Sequence, residues 1–206
     1  MSPAGWRTVC CRCSRRCPLP DPVRPAVFLD RDGTVAEEVG YLNHISRFRL
    51  LPGAGPAIRR LNQAAIPVVV VTNQSGVGRG YFPESLVVQV HERMAEELKR
   101  QGARLDGVYY CPHVSADGCD CRKPGTGMLN AAARDLALDL RRSFVVGDRR
   151  ADLELAERAG ATGILVRTGY GEGELAWHAR RWPRQPDFVA ADLAEAVDWI
   201  LKEQSR

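Results

Sequence analysis

The sequence predicts an α/β fold, a parallel sheet with helices on both faces, and three observations carry that reading. Short apolar runs alternate with amphipathic stretches along most of the chain. The run Pro67–Val71 is apolar at every position and β-branched at four, so a strand there must be covered on both sides. Polar clusters fall where apolar runs end: Asp30 and Asp32 after the first, Thr72 and Asn73 after the second, Asp148 after a later one. In a Rossmann-like parallel sheet the carboxyl ends of the strands share one edge, where ligands bind, so these clusters should meet.

Taken in order, Ala26–Leu29 reads as the first strand and Gly53–Ala65 as a helix, followed by the strand at Pro67–Val71. A helix over Pro83–Arg100 follows from Leu86, Val90, Met94 and Leu98, which recur every four residues on one face. Val108–Tyr110 is a strand, Gly127–Leu138 a helix, Phe144–Val146 a strand and Ala151–Ala159 a helix. Ile164–Val166 and Phe188–Val189 are short strands. Asp192 is the expected N-cap of a last helix that presents Leu193, Val197, Ile200 and Leu201.

The 206 residues suit one core rather than two, so residues 25–206 are read as a single domain. Residues 1–24 show neither helical nor strand period and read as a disordered Cys/Arg-rich extension. The net charge of +4 lies there, in five arginines against one aspartate; the other 24 basic and 24 acidic residues cancel. A neutral body argues against a nucleic-acid partner. No apolar run approaches the roughly 20 residues of a membrane span, and no secretory signal is evident, so a cytoplasmic, monomeric protein without a membrane partner is expected.

Three aspartates at one sheet edge repel unless a cation holds them, and a hard cation with oxygen ligands, Mg²⁺, answers that problem. Such a site fits phosphoryl transfer: Asp30 as nucleophile, Asp32 as general acid and base, and Thr72, Asn73 and Lys123 as donors to the phosphoryl oxygens. A second cluster, Cys111, His113, Cys119 and Cys121, offers four nitrogen and sulfur ligands around a short loop and predicts a closed structural Zn²⁺ site. Cys10, Cys11, Cys13 and Cys17 are crowded and flanked by arginines, and read as part of the tail rather than as a second zinc site. His44, His91 and His178 stand alone and read as surface or capping residues. Trp177, Trp182 and Trp199 read as packing residues.

The segments FLDRDGT, VVVVTNQSG, CRKP and VGDRRAD match, in order, the four motifs of the haloacid dehalogenase superfamily, and the chain resembles its members. The resemblance implies that Asp30, the Asp32 carbonyl and Asp148 bind Mg²⁺, with Asp152 supporting them. Only 37 residues separate Thr34 from Thr72, and the stretch from Asn73 to Lys123 is filled by a helix, a strand and the zinc loop. The implied fold is therefore capless.

Within the superfamily, EVGYL, TNQSGVGRGYF, YYCPH and CDCRKP are similar to the phosphatases that remove the 7-phosphate of D-glycero-D-manno-heptose 1,7-bisphosphate. That resemblance implies a small phosphorylated sugar as substrate. It implies contacts at Glu38, Val39, Gly40 and Tyr41, at Thr72, Asn73, Gln74 and Ser75, and at Arg122, Lys123 and Arg149. The zinc loop is short for that family. Histidinol-phosphate phosphatases share the scaffold, polynucleotide 3′-phosphatases share TNQ, and a non-catalytic zinc-stabilised binding module is a further alternative. Ser75 and Arg79 favour a substrate with a second anionic group, and the intact set Asp30, Asp32, Lys123 and Asp148 favours catalysis.

Overall fold

The structure, a computed structural model, describes residues 6–8 and 24–205. Among these, seven strands form one parallel sheet: β1 (Trp6–Thr8), β2 (Val27–Leu29), β3 (Val68–Asn73), β4 (Gly107–Cys111), β5 (Phe144–Gly147), β6 (Thr162–Val166) and β7 (Phe188–Ala190). Their order is β1-β4-β3-β2-β5-β6-β7, so the chain winds outwards from β2 in both directions. Trp6–Thr8 run parallel to Val108–Tyr110, a piece of regular structure within the stretch read as an extension without any. Apart from Arg24, the rest of that extension, with Cys10, Cys11, Cys13 and Cys17, lies outside the described residues.

Among the described residues five helices connect the strands, α1 (Ala54–Gln63), α2 (Glu84–Arg100), α3 (Gly127–Leu136), α4 (Arg150–Ala159) and α5 (Gly171–Trp177), and α6 (Leu193–Gln204) follows the last strand. The alternation of the strands sorts them into two layers. Val27, Leu29, Val68 and Val70 point to one face and pack with Ile58 and Leu61 of α1, Met94 and Leu98 of α2, and Val197 and Ile200 of α6. Phe28, Val69 and Val71 point to the other and meet Met128 and Leu129 of α3 and Leu155 of α4. Each fully buried Val or Leu contributes roughly 1.5–3 kcal/mol, which is why the central strands are apolar at every position.

The expected elements are present with small differences at their ends. Helix α3 stops at Leu136, two residues early, because Ala137 adopts a left-handed conformation (φ 52°) and returns its N–H to Ala133. Asp192 caps α6 through the backbone N–H of Glu195 at 2.9 Å. Helix α5 was not anticipated, since Gly171 and Gly173 mask its period. Trp199 stacks on Phe188 and Trp182 is buried, but Trp177 is 77% exposed and packs no core. No helix among the described residues is long and apolar enough to cross a membrane.

Parallel pairing places Leu29 beside both Val70 and Val146. The residues that follow, Asp30, Thr72 and Asp148, therefore emerge along one edge of the sheet. The connections above that edge, residues 30–67 and 74–106, hold only loops, 3-10 turns and the helices named, so no additional domain covers it.

Candidate active site

Asp30 leaves β2 into a pocket of buried charge. Its Oδ1 lies 2.9 Å from Nζ of Lys123, and the same ammonium lies 2.6 Å from Oδ1 of Asp152 and donates to the Val71 carbonyl at 3.1 Å. Burial by itself would lower the Lys123 pKa, but Asp152 and Asp30 outweigh it and hold the ammonium above its usual range. Burial pushes the Asp30 carboxyl up to about 7 despite Lys123, with Asp152 and Asp32 adding to the rise. Asn73, expected to face phosphate, instead clamps the lysine's main chain: Oδ1 accepts from the Lys123 N–H at 3.0 Å and Nδ2 donates to its carbonyl at 3.2 Å.

Asp148 follows β5 and is fully buried. Its Oδ2 accepts from the Tyr170 N–H at 2.8 Å, whereas Oδ1 is buried with no hydrogen-bond partner. Burial first, then Asp30 and Asp152, push this carboxyl up to about 8. Glycines surround it: a Cβ on Gly33 would come within 2.1 Å of Oδ2, and one on Gly169 within 2.2 Å. Carboxylate oxygens of Asp30, Asp148 and Asp152 lie within 4.8 Å of one another. An orphaned buried oxygen among carboxylates that resist ionisation fits a hard divalent cation.

The Asp32 carboxylate points away from that group. Arg31 grips it with Nε to Oδ1 at 3.0 Å and with a terminal nitrogen to Oδ2 at 2.8 Å. Gln74 donates to Oδ2 at 2.9 Å and to the Thr72 hydroxyl at 2.8 Å. Any contribution of Asp32 to the cation must come from its backbone, as the resemblance implied. His91, read as a surface or capping residue, is instead buried against Arg31. His44 does cap, accepting from the Ser46 N–H at 3.2 Å.

A cleft of about 350 Å³ opens above these groups. All the expected substrate contacts line it except Val39, and Gly76, Ala151 and Tyr170 join them. Val39 shapes the wall indirectly, because its carbonyl and that of Tyr41 accept from Arg47 at 3.0 Å each. Arg149 lies 3.7 Å over the Tyr170 ring and 3.6 Å from Glu38. Arg122 donates to the Ser115 hydroxyl and the His113 carbonyl, both at 3.2 Å. Two guanidinium groups thus border a cleft that Asp30 also lines.

Cys111, at the end of β4, faces His113, Cys119 and Cys121. Sulfur–sulfur distances are 3.3–3.6 Å, too long for disulfides, and His113 Nδ1 lies 3.3 Å from Cys121 Sγ and 3.5 Å from Cys111 Sγ. A tetrahedron with bonds of about 2.3 Å to sulfur and about 2.0 Å to nitrogen has edges of roughly this length. Burial pushes the Cys111 thiol up to about 11 and Cys121 higher still, so the thiols need a cation to ionise together. The four donors fit Zn²⁺.

The chain is similar to known phosphatases in sequence and in structure. The HAD-hydrolase-like family model matches residues 120–196. A D-glycero-D-manno-heptose-1,7-bisphosphate 7-phosphatase from Thermosynechococcus vestitus is 46% identical over 188 residues, covering 86% of this chain and 95% of the relative. The D-glycero-beta-D-manno-heptose-1,7-bisphosphate 7-phosphatase of Escherichia coli K12 is 40% identical over 188 residues, 87% of this chain and 95% of its own. The crystal structure of the D,D-heptose 1,7-bisphosphate phosphatase from B. bronchiseptica, complexed with magnesium and phosphate, superposes with a TM-score of 0.80 at 38% identity, covering 87% of this chain and 99% of that one. The chain belongs to the D-glycero-D-manno-heptose-1,7-bisphosphate 7-phosphatase family of haloacid-dehalogenase-like hydrolases.

Proposed function

We propose that this enzyme hydrolyses the 7-phosphate of D-glycero-D-manno-heptose 1,7-bisphosphate through a phosphorylated Asp30. The observation that carries the proposal is the buried ion cluster of Asp30, Lys123, Asp152 and Asp148 beneath a cleft bordered by Arg122 and Arg149. A carboxylate nucleophile needs charge around it that offsets its repulsion from phosphate. Bound Mg²⁺, held by Asp30, Asp148 and the Asp32 carbonyl, would supply that neutralisation.

The remaining chemistry belongs to the chain. Asp30 forms a bond to phosphorus as the bond to the C7 oxygen breaks, and the leaving oxygen takes the electron pair and a proton from Asp32. Asp32 then removes a proton from water, whose oxygen attacks phosphorus and releases Asp30. Lys123 and Thr72 stabilise the phosphoryl oxygens as charge builds. Gln74 orients Asp32 and Thr72, and Asn73 fixes Lys123. Arg122 and Arg149 receive the distal phosphate, because a guanidinium fork matches its geometry. Glu38, Val39, Gly40, Tyr41 and Ser75 shape the sugar-binding wall.

The reading includes structural Zn²⁺ at Cys111, His113, Cys119 and Cys121. We take the enzyme as a cytoplasmic monomer with no nucleic-acid or membrane partner; the charge balance of the body supports the absence of a nucleic-acid partner. Steady-state kinetics with Mg²⁺ on both anomers of the heptose bisphosphate, on histidinol phosphate and on a 3′-phosphorylated oligonucleotide test the substrate. The highest kcat/KM is expected on a heptose bisphosphate, and a preference for histidinol phosphate would overturn the assignment. Asp30→Asn should abolish turnover with the fold intact; substantial residual turnover refutes the nucleophile.

A further inference from the structure

Helix α2 buries Val87, Val90, Met94 and Leu98, and within that apolar stripe stands His91, 0% exposed. An imidazole taken out of water costs free energy unless it gains a partner. Its Nε2 lies 3.2 Å from a terminal guanidinium nitrogen of Arg31, a residue only 1% exposed and 60 positions earlier in the chain. Arginine only donates, so Nε2 accepts and the imidazole is neutral. Burial and the adjacent guanidinium push its pKa well below the usual value, in keeping with that assignment.

The opposite edge of the same guanidinium holds both oxygens of Asp32, at 3.0 and 2.8 Å, while the Arg31 N–H donates to Asp30 Oδ1 at 2.6 Å. Arg31 therefore touches both carboxylates assigned to the chemistry, and His91 fixes the corner of its guanidinium that faces away from them. The imidazole is itself located by the Tyr110 ring, edge-on at 5.4 Å, and the Tyr110 hydroxyl donates to Glu84 in the first turn of α2 at 2.9 Å. A planar fork grips a carboxylate with two bonds only when its plane is set, and the bond to His91 sets that plane.

We infer that His91 is a positioning residue for the general acid Asp32, acting through the Arg31 guanidinium. It touches neither substrate nor reacting atoms. The inference rests on the reading of Asp32 as the acid. Without the acceptor, a buried guanidinium N–H loses its partner and the fork turns to recover one, carrying the Asp32 carboxylate out of line.

The test compares kcat/KM on two substrates, since that ratio reports the first phosphoryl transfer. A sugar phosphate leaves as an alkoxide and needs the acid's proton; p-nitrophenyl phosphate leaves without it. His91→Leu is expected to lose about 10²-fold on the sugar bisphosphate, the scale of a misplaced catalytic group, and only a few-fold on the aryl ester. His91→Gln, whose carbonyl can accept the same hydrogen bond, should recover most of the loss. His91→Met, which keeps bulk in the stripe, carries the same expectation as leucine and decides the matter if leucine prevents folding. Asp32→Asn, measured in parallel, must show the same selective loss. An Asp32→Asn variant that slows both substrates equally refutes the acid assignment itself. A selective Asp32→Asn beside apolar His91 variants that are unselective refutes the role of His91 alone.

Discussion

Replacing Lys123 with methionine removes the ammonium that holds two buried carboxylates together. Asp30 at 2.9 Å and Asp152 at 2.6 Å would then face an apolar side chain of similar length. Breaking a buried ion pair by deleting one partner costs about 3–5 kcal/mol, because the survivor stays buried and charged. The cost must depend on pH. The Asp30 carboxyl is already raised to about 7 with Lys123 opposing the rise, so without the lysine it rises further. A carboxyl whose folded-state pKa exceeds its unfolded value binds extra protons in the folded state. Its penalty is small in acid and grows as pH climbs through the window between the two values. One additional bound proton corresponds to about 1.4 kcal/mol per pH unit, and because Asp30 of the parent already holds that proton up to about pH 7, the variant's excess penalty from this group grows by about 1.4 kcal/mol between pH 7 and 8. For a domain of this size the roughly 3–5 kcal/mol of the broken pair is a loss of about 6–20 °C in Tm at pH 8 relative to the parent protein, smaller by about 3–6 °C at pH 5. Thermal melts in Mg²⁺-free buffer at both pH values measure it. The double variant Lys123→Met with Asp152→Asn should regain part of the stability at pH 8 but none of the turnover, which falls by at least about 10²-fold in either. A single variant within about 1 kcal/mol of the parent at pH 8 would refute the account of the cluster as electrostatically clamped.

Three further outcomes follow, two from this site and one from the cysteine–histidine cluster. Burial, opposed by few donors, raises Asp30 to about 7 and Asp148 to about 8, so the Mg²⁺-free protein should lose stability as pH rises from about 5 to 8. The Tm gain from saturating Mg²⁺ should grow over the same interval, and a pH-independent gain counts against carboxylate ligation. Gly33→Ala combines a φ of +80° with a Cβ 2.1 Å from Asp148 Oδ2, so it should weaken Mg²⁺ activation at least tenfold, read from the Mg²⁺ dependence of kcat; an unchanged dependence contradicts the tight fit. Removing the metal at Cys111, His113, Cys119 and Cys121 with a strong chelator should release one zinc per chain and lower the Tm in a way that Mg²⁺ does not reverse, whereas metal analysis of active enzyme without zinc eliminates the site.

Most of the catalytic floor was legible in the sequence because its chemistry is local. Asp30, Thr72 and Asp148 each follow an uninterrupted apolar run, and parallel pairing brings the ends of such runs together whatever the details of the loops. The Cys111–Cys121 cluster was legible for a related reason, since its four donors fall within eleven positions. What sequence reasoning missed depends on contacts between distant segments. His91 sits at helical spacing from Val87 and on a stripe otherwise apolar, and periodicity alone cannot say whether a polar residue there is buried with a partner or lies at the stripe's edge. The signal that could have found it is Arg31, a cation in a segment that must be buried and so needs acceptors. The carboxamide of Asn73, which lines the cleft, could donate to a ligand or clamp a neighbouring main chain, and only the approach of Lys123 shows the clamp. Tyr170 entered the cleft unannounced, on a segment whose glycines hid α5.

The cysteine–histidine cluster has a geometric consequence for how such an enzyme can vary. Cys111 ends β4 and Cys121 stands two residues before Lys123, and their sulfur atoms are 3.3 Å apart. The position of the lysine is therefore set by a short chord across the cluster, not by the arc of chain that runs between its ends. A residue of the arc outside the four donors, such as Ala116, can be exchanged without moving the ammonium, because loop length adds little free energy once the ends are pinned. That separation lets the arc in this chain be short while the catalytic floor remains complete. The rim that meets the sugar is then free to drift, and the chemistry beneath it is not.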